Sequence, residues 1–469
     1  MRSADLHYLT LAGAAALIRE RELSPVELTE AVLARIEEVE PRVKAYALVL
    51  ADHARAQAWA AEAEVQAGRY RGPLHGIPIC IKDVLYSRGI VTAMGSKVLA
   101  DFVPTHNAAA VDRLLDAGAV IVGKSVTHEF AWGVISPPTR NPWDLDAIVG
   151  GSSGGSGAAL AAGECLGAVG TDCGCSIRNP AAINGIVGLR PTQGRVSVRG
   201  VGNLSYSVDT IGPMARSVKD CALMLNAMAG WDPEDVTSAN APVPDFADGI
   251  DTGGGFGEVT VGVPRGYFFE RIHAPVMEAV NAAITTIEGL GATIREVELP
   301  MAPYSLPCFM AIVVPESSSA HERWLKHRAD EYGLDVRLFV ELGQLYLAKD
   351  YLKAQKVRNL IRKDFERALG EVDVLVMPTS PCVAQKAGPG VNIPVTYDGY
   401  EEDVLWSYCR YTIPISMAGM PTVAVPCGFA DGLPIGMQIV GRAFDERTAL
   451  RVAHAYESAT PWHERRPPV

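Results

Sequence analysis

Apolar and polar positions along the 469-residue chain keep two rhythms in alternation. Leu28, Val32, Ile36 and Val39 recur three or four apart, the spacing of one buried helix face. Ser24-Pro25-Val26-Glu27 in front of them has the form of a capping box with proline in the first turn, so a helix is predicted to about Pro41. Ala51 to Gly68, alanine-rich and ending in glycine, predicts a second helix, and Val111 to Gly118 a third. Between them stand short unbroken apolar runs, Ile77 to Lys82 and Ala119 to Val122, which read as strands buried on both faces. Further strands are predicted at Thr260 to Val263, Thr293 to Val297, Val372 to Met377, Thr422 to Val425 and Met437 to Val440, with helices around 275–290, 320–369 and 445–458. This alternation argues for an α/β chain with a mainly parallel sheet sandwiched by helices.

Composition narrows the classes. With 48% hydrophobic and 20% charged residues the chain is neither disordered nor a coiled coil. Its 42 Lys+Arg against 54 Asp+Glu give −12, and no basic block stands ready for phosphates, so no nucleic-acid partner is expected. No apolar run approaches the ~20 residues of a membrane span. Arg2 and the run Leu6 to Ile18 imitate a secretory leader, but Asp5, His7 and the following Arg19-Glu20-Arg21-Glu22 fit an amphipathic helix better. Nine cysteines form an odd set without a CxxC pair or a histidine at ligand spacing, which reads as reduced thiols of a cytoplasmic protein and no metal site. Trp231 to Gly257, including Asp251-Thr252-Gly253-Gly254-Gly255, is a linker or a surface loop within one domain.

Two motifs mislead. Gly118-Ala119-Val120-Ile121-Val122-Gly123-Lys124-Ser125 matches the phosphate-loop pattern letter for letter, yet its four intervening residues are themselves a strand. Gly150 to Gly157 fits a nucleophile elbow in two registers, but the segment before it, Asp144 to Val149, makes a poor strand. The histidines that could serve such an elbow, His273, His321, His327, His454 and His463, lie in helical or terminal context, where packing or solvation is their ordinary role.

What remains is a lysine at the end of a buried strand, a Gly/Ser loop, and a second small-residue turn running from Gly170 to Pro180. Together with Gly76-Ile77-Pro78, Lys82-Asp83, Thr139 to Asp144, Gly185 to Thr192, Asp209 to Met214 and Gly432 to Gln438, these blocks resemble the amidase signature family across nearly the whole chain. The resemblance implies a single domain over 1–469, an α/β/α sandwich around a twisted, mostly parallel mixed sheet with N-terminal helices 10–68 packed on it. It further implies hydrolysis of a carboxamide or related C–N bond, with Ser176 as nucleophile, Ser152 as bridging serine, Lys82 as base, a cis peptide between Gly151 and Ser152, and no cofactor. The chemistry is consistent with elementary requirements: a serine hydroxyl needs a base, and Lys82 can serve only if neutral, a fall of roughly three units from its reference pKa of ~10.4. Desolvation among Ile77, Ile79 and Ile81 pushes that way.

An oxyanion hole is expected from the backbone N–H groups of Cys173, Gly174, Cys175 and Ser176. Here the chain departs from the family pattern, which has Gly-Gly before the nucleophile. If that second position requires positive φ, Cys175 is strained; otherwise the hole survives with a thiol beside it. Asp172 and Arg178 are expected to brace the turn. Phe130, Trp132, Ile135 and Tyr206 are candidates for an apolar substrate pocket, with core packing an equal alternative. The stretch 315–369 is a candidate lid or the surface of a homodimer. Two functions share this site: a stand-alone amidase acting on a small-molecule amide, anilide, carbamate or urea with water, and the glutaminase component of a tRNA-dependent amidotransferase. Val391 to Tyr411 does not match the pattern of the amidotransferase component, which favours the stand-alone enzyme.

Overall fold

The side chain of Ser24 starts the first long helix by accepting from the N–H groups of Val26 (3.0 Å) and Glu27 (3.3 Å). That helix, Pro25–Val43, runs through Pro41 and ends at Lys44, whose φ of 56° is left-handed. Leu28, Val32, Ile36 and Val39 are all buried beneath it. Helices Leu11–Arg19 and Ala51–Gln66 complete the N-terminal layer. The computed structural model describes residues 3–202, 204–251, 258–388, 390 and 393–469.

Eleven strands form one mixed sheet, in the order Tyr46–Val49, Val120–Ser125, Pro78–Lys82, Gly167–Thr171, Ile211–Ala215, Val187–Arg190, Thr422–Ala430, Leu433–Val440, Val374–Pro378, Thr260–Pro264 and Thr293–Val297. Every residue of Pro78–Lys82, Val120–Ser125, Gly167–Thr171 and Val374–Pro378 is buried, so layers cover both faces there. The α/β sandwich holds, but the expectation that parallel pairing predominates does not. Four neighbour pairs are parallel and six antiparallel among the described residues. Parallel strands occupy two outer groups. A hairpin joins Thr422–Ala430 to Leu433–Val440 through Asp431 (φ 51°) and Gly432 (φ 79°), a two-residue connection that permits only antiparallel pairing. Beside it lie Val187–Arg190 and Ile211–Ala215, whose glycine and proline hide them from a reading based on apolar runs.

The phosphate-loop look-alike is a strand: Val120–Ser125 includes its Gly123, Lys124 and Ser125. Gly123 is needed because a Cβ there would lie 2.5 Å from the Tyr46 ring. The helix expected over 320–369 is three, Ser305–Arg328, Leu334–Leu342 and Ala348–Glu371, interrupted near Gly333 and Gly343. Trp231 to Asp251 is irregular and is fastened to the body by Ser197, whose hydroxyl lies within hydrogen-bond reach of the Asp232 (2.9 Å) and Asp235 (3.0 Å) carboxylates. Residues 252–257 of the proposed linker, with Thr252 and Gly253 to Gly255, lie outside the described residues.

Candidate active site

Lys82 ends strand Pro78–Lys82 with its side chain sealed inside the protein. Its Nζ donates to the Ser152 hydroxyl (2.7 Å) and to the Thr171 hydroxyl (2.7 Å). No carboxylate forms an ion pair with it among the described residues. Burial therefore dominates and brings its pKa down to about 7, against the weaker upward pull of the Asp209 and Asp172 carboxylates. Thr171 closes the neighbouring parallel strand and was not among the expected site residues.

Ser152 sits on the turn that opens helix Gly154–Ala162. The Gly151–Ser152 peptide is cis. The turn must thread between other main chains, which explains its glycines: a Cβ on Gly151 would lie 2.8 Å from Val134 Cα, and one on Gly155 2.4 Å from the Ala45 carbonyl oxygen. The Ser152 carbonyl accepts from the His128 N–H (3.1 Å) and the Ser136 hydroxyl (3.1 Å).

The third element is the turn between strand Gly167–Thr171 and helix Arg178–Asn184. It is joined to the Ser152 turn, since the Ser153 N–H donates to the Ser176 carbonyl (3.2 Å) and the Cys175 thiol reaches the Gly151 carbonyl (3.6 Å). Ser176 keeps 6% of its surface exposed, whereas Lys82 and Ser152 keep none. Among the described residues no hydrogen bond occupies the Ser176 hydroxyl or the N–H groups of Cys173, Gly174, Cys175 and Ser176. The next two amides, of Ile177 and Arg178, are taken by Asp172 Oδ2 at 3.1 and 3.4 Å. Cys175 is not among the residues with positive φ, so the thiol replaces glycine there without that strain.

A buried charge cluster fixes this turn. Arg178 grips Asp172 through two bonds, Nε to Oδ2 (3.0 Å) and Nη2 to Oδ1 (2.9 Å), and also donates to the Gly174 carbonyl (2.9 Å). Arg190, which the sequence reading left unassigned, adds a second guanidinium at 3.3 Å. The two cations outweigh burial and bring the Asp172 carboxyl down to about 2. Asp209, also missed, is pushed the other way by burial, to about 6, although the Leu204 (2.8 Å) and Ser205 (3.0 Å) amides and the Cys173 thiol donate to it. Its block was visible in the sequence, but nothing there set it beside Lys82.

The four pocket candidates separate. Trp132 and Ile135 line a cavity of about 500 Å³ with His128, Val134, Leu338, Phe339 and Trp406. Trp132 and Phe339 stack at 4.8 Å and 7°. Val134 packs on Gly151, so the cavity adjoins the Ser152 turn. Phe130 instead belongs to the core, wedged among His321, Trp324 and Tyr332. Tyr206 is 55% exposed and lines a different depression with Arg358 and Arg362. Both miss the cavity because proximity to a motif in sequence says nothing about which way a side chain points. His321 is held in that same core by the Tyr332 hydroxyl (2.9 Å). No helix among the described residues is long and apolar enough to cross a membrane.

Comparison with known proteins identifies the family. The family model described as Amidase matches residues 27–450. The A-type component of the glutamyl-tRNA(Gln) amidotransferase from Roseiflexus sp. (strain RS-1) is 44% identical over 98% of this chain and 98% of its own. Among solved structures, a chain from a vestigial protein complex described as revealing the evolutionary origins of an s-triazine catabolic enzyme superposes with a TM-score of 0.91 at 31% identity, covering 96% of this chain and 98% of that one. The corresponding glutamyl-tRNA(Gln) amidotransferase component of Thermotoga maritima gives 0.81 at 32% identity, covering 97% and 96%. The chain belongs to the amidase signature family, whose members hydrolyse C–N bonds of amides.

Proposed function

We propose that Ser176 is the nucleophile, Ser152 the proton relay and Lys82 the base of an acyl-transfer site. The observation that carries this reading is the 2.7 Å contact between the Ser152 hydroxyl and a lysine that has no carboxylate ion pair among the described residues, in a sealed interior. With its pKa brought down to about 7, Lys82 has a neutral form at neutral pH that can take the Ser152 proton as Ser152 takes that of Ser176. The Ser176 oxygen then attacks the amide carbon, and the unspent N–H groups of residues 173–176 receive the charge on the carbonyl oxygen. The proton returns through Ser152 to the leaving nitrogen, amine or ammonia departs, and water releases the acyl group by the same path in reverse.

For the substrate, the relatives reverse the preference taken from the sequence. Identity of 44% along practically the whole of both chains supports the glutaminase component of a tRNA-dependent amidotransferase, in which glutamine is the amide and the ammonia goes to a partner protein in the cytoplasm. The poor match at Val391 to Tyr411 is a local difference set against agreement over the rest of the chain; Val391 and Asn392 also lie outside the described residues. A second reading, the stand-alone amidase, keeps one specific observation in its favour, the aromatic cavity of Trp132, Phe339 and Trp406 beside the Ser152 turn.

Assaying the purified chain with glutamine and with aryl amides, following ammonia or amine release, separates the two. Glutamine turnover that disappears in Ser176→Ala is the expected result. Turnover of aryl amides without glutamine hydrolysis replaces the glutaminase reading with the second, and full activity of a folded Ser176→Ala overturns the site.

A further inference from the structure

The thiol at position 175 has a partner that sequence spacing does not suggest. Cys409, the last residue of helix Val404–Cys409, brings its Sγ to 3.2 Å from the Cys175 Sγ across 234 positions of chain. Both side chains are buried, at 1% and 5% exposure. They are also held by one device. Arg178, which braces the Ser176 turn through Asp172, donates to the Thr412 carbonyl (3.0 Å), while the Thr412 hydroxyl donates to the Cys409 carbonyl (3.1 Å). Two separate segments thus present sulfurs to each other next to the proposed nucleophile. The catalytic sequence above uses neither sulfur.

We propose that Cys175 and Cys409 are an oxidisable dithiol, a modification site for hydroperoxides that shuts the acyl-transfer site reversibly. Hydrogen peroxide, small enough to follow water to Ser176, oxidises the Cys175 thiol to a sulfenic acid and leaves as water. The Cys409 sulfur then attacks that sulfur, its proton and the hydroxyl depart as a second water, and the disulfide forms. Closing 3.2 Å to the ~2.05 Å of a disulfide moves the two sulfurs together by about 1 Å. That movement draws on residue 175, whose own amide and whose neighbour Ser176 belong to the proposed reacting geometry, where displacements of this size cost large factors in rate. A dithiol reductant restores both thiols.

The consequence for activity rests on the Ser176 reading, but the chemistry at the sulfurs does not, so two readouts keep them apart. The reduced chain is treated with hydrogen peroxide, digested without reductant and mapped by mass spectrometry, with amide hydrolysis followed in parallel. A peptide linked through Cys175 and Cys409, two hydrogens lighter than its parts, is expected to accumulate as activity falls at least tenfold, and dithiothreitol is expected to return both to the starting state. Cys409→Ala should form no such link and resist peroxide. Should that variant fail to fold, the linked peptide and its reversal in the unsubstituted chain still decide. Absence of the linked peptide after full inactivation, or a Cys409→Ala chain inactivated as fast as its parent, overturns the proposal. A linked peptide with unchanged activity overturns the regulatory role, and if Ser176→Ala is then also active, the Ser176 reading falls with it.

Discussion

Two lysines stand at the ends of neighbouring parallel strands of this sheet, and both are completely buried, yet they live in opposite chemistry. In the pairing of Pro78–Lys82 with Val120–Ser125, Ile81 stands opposite Lys124 and Lys82 opposite Ser125. Lys124 forms an ion pair with Asp83 (3.2 Å) and donates to the Leu85 carbonyl and the Thr92 hydroxyl, each at 2.8 Å. Among the described residues Lys82 is paired with two hydroxyls, of Ser152 and Thr171. Burial lowers the pKa of both, but beside Lys124 the carboxylate opposes it at contact distance. Lys124 thus has a contact carboxylate that favours its charged form, whereas Lys82, the proposed base, faces hydroxyls. Burial alone does not separate the proposed base from Lys124; among the described residues the contact carboxylate beside Lys124 does.

The largest expected contrast comes from the same substitution at both sites. Lys82→Met should reduce turnover by on the order of 10³-fold or more, since the proposed base is gone. Its fold should gain stability at neutral pH. A lysine with pKa about 7 folded and about 10.5 unfolded binds more protons in the unfolded chain between those values, so its cost to stability is fully present below pH 7 and fades as pH rises toward 10.5. Lys124→Met leaves the Asp83 carboxylate buried and unpaired, and should cost about 3–5 kcal/mol in urea denaturation while activity per folded molecule persists. Equal losses of activity in both variants, with folding verified by circular dichroism, would erase the distinction drawn between them.

The pH profile tests the same contrast less drastically. Turnover should decline below about pH 7, approaching tenfold per unit, as Lys82 takes up the proton that disables it. Steady-state rates from pH 5 to 9 check this, and a plateau that continues unbroken to pH 5 would show that no amine of this pKa takes part.

Much of this contrast could be anticipated from residues, and the limits are physical. Lys82, Ser152 and the Ser176 turn stand in motif blocks with apolar runs around them, and strand Pro78–Lys82 was legible because nothing polar interrupts it before the lysine. The phosphate-loop look-alike around Lys124 could be rejected on the same grounds, its β-branched residues being a strand. Thr171 as second partner of Lys82 was not legible, because strand Gly167–Thr171 is poor in large apolar residues and its place in the sheet depends on the strand order. Nor was the direction of the Cys175 side chain: the anomaly is visible in the sequence, but its contact with Cys409 arises only when a distant helix end folds against the turn. Phe130 takes the core-packing alternative and Tyr206 lines a separate depression: both side chains stand near motif residues in sequence and turn away from the Trp132 cavity in space.

The smallest effect isolates the long-range charge that acts on Lys82. Two carboxylates raise its pKa against burial, but Asp172 is spoken for by Arg178 and Arg190, whereas Asp209 has no cation in contact among the described residues and is held by amides and a thiol. At neutral pH Asp209, with its carboxyl near 6, is mostly ionised, and its charge favours the protonated form of Lys82. Asp209→Asn keeps an oxygen for the Leu204 and Ser205 amides and removes the charge, its second oxygen becoming an amide nitrogen. Lys82 should then lose its proton more readily, which shifts the acid limb of the rate profile to lower pH by up to about 1 unit and leaves the plateau at higher pH nearly unchanged. A limb that moves to higher pH, or does not move, would mean that the hydroxyl partners and burial set the Lys82 proton by themselves, and that the comparison with Lys124 turns on contact ion pairing with no contribution from charge at a distance.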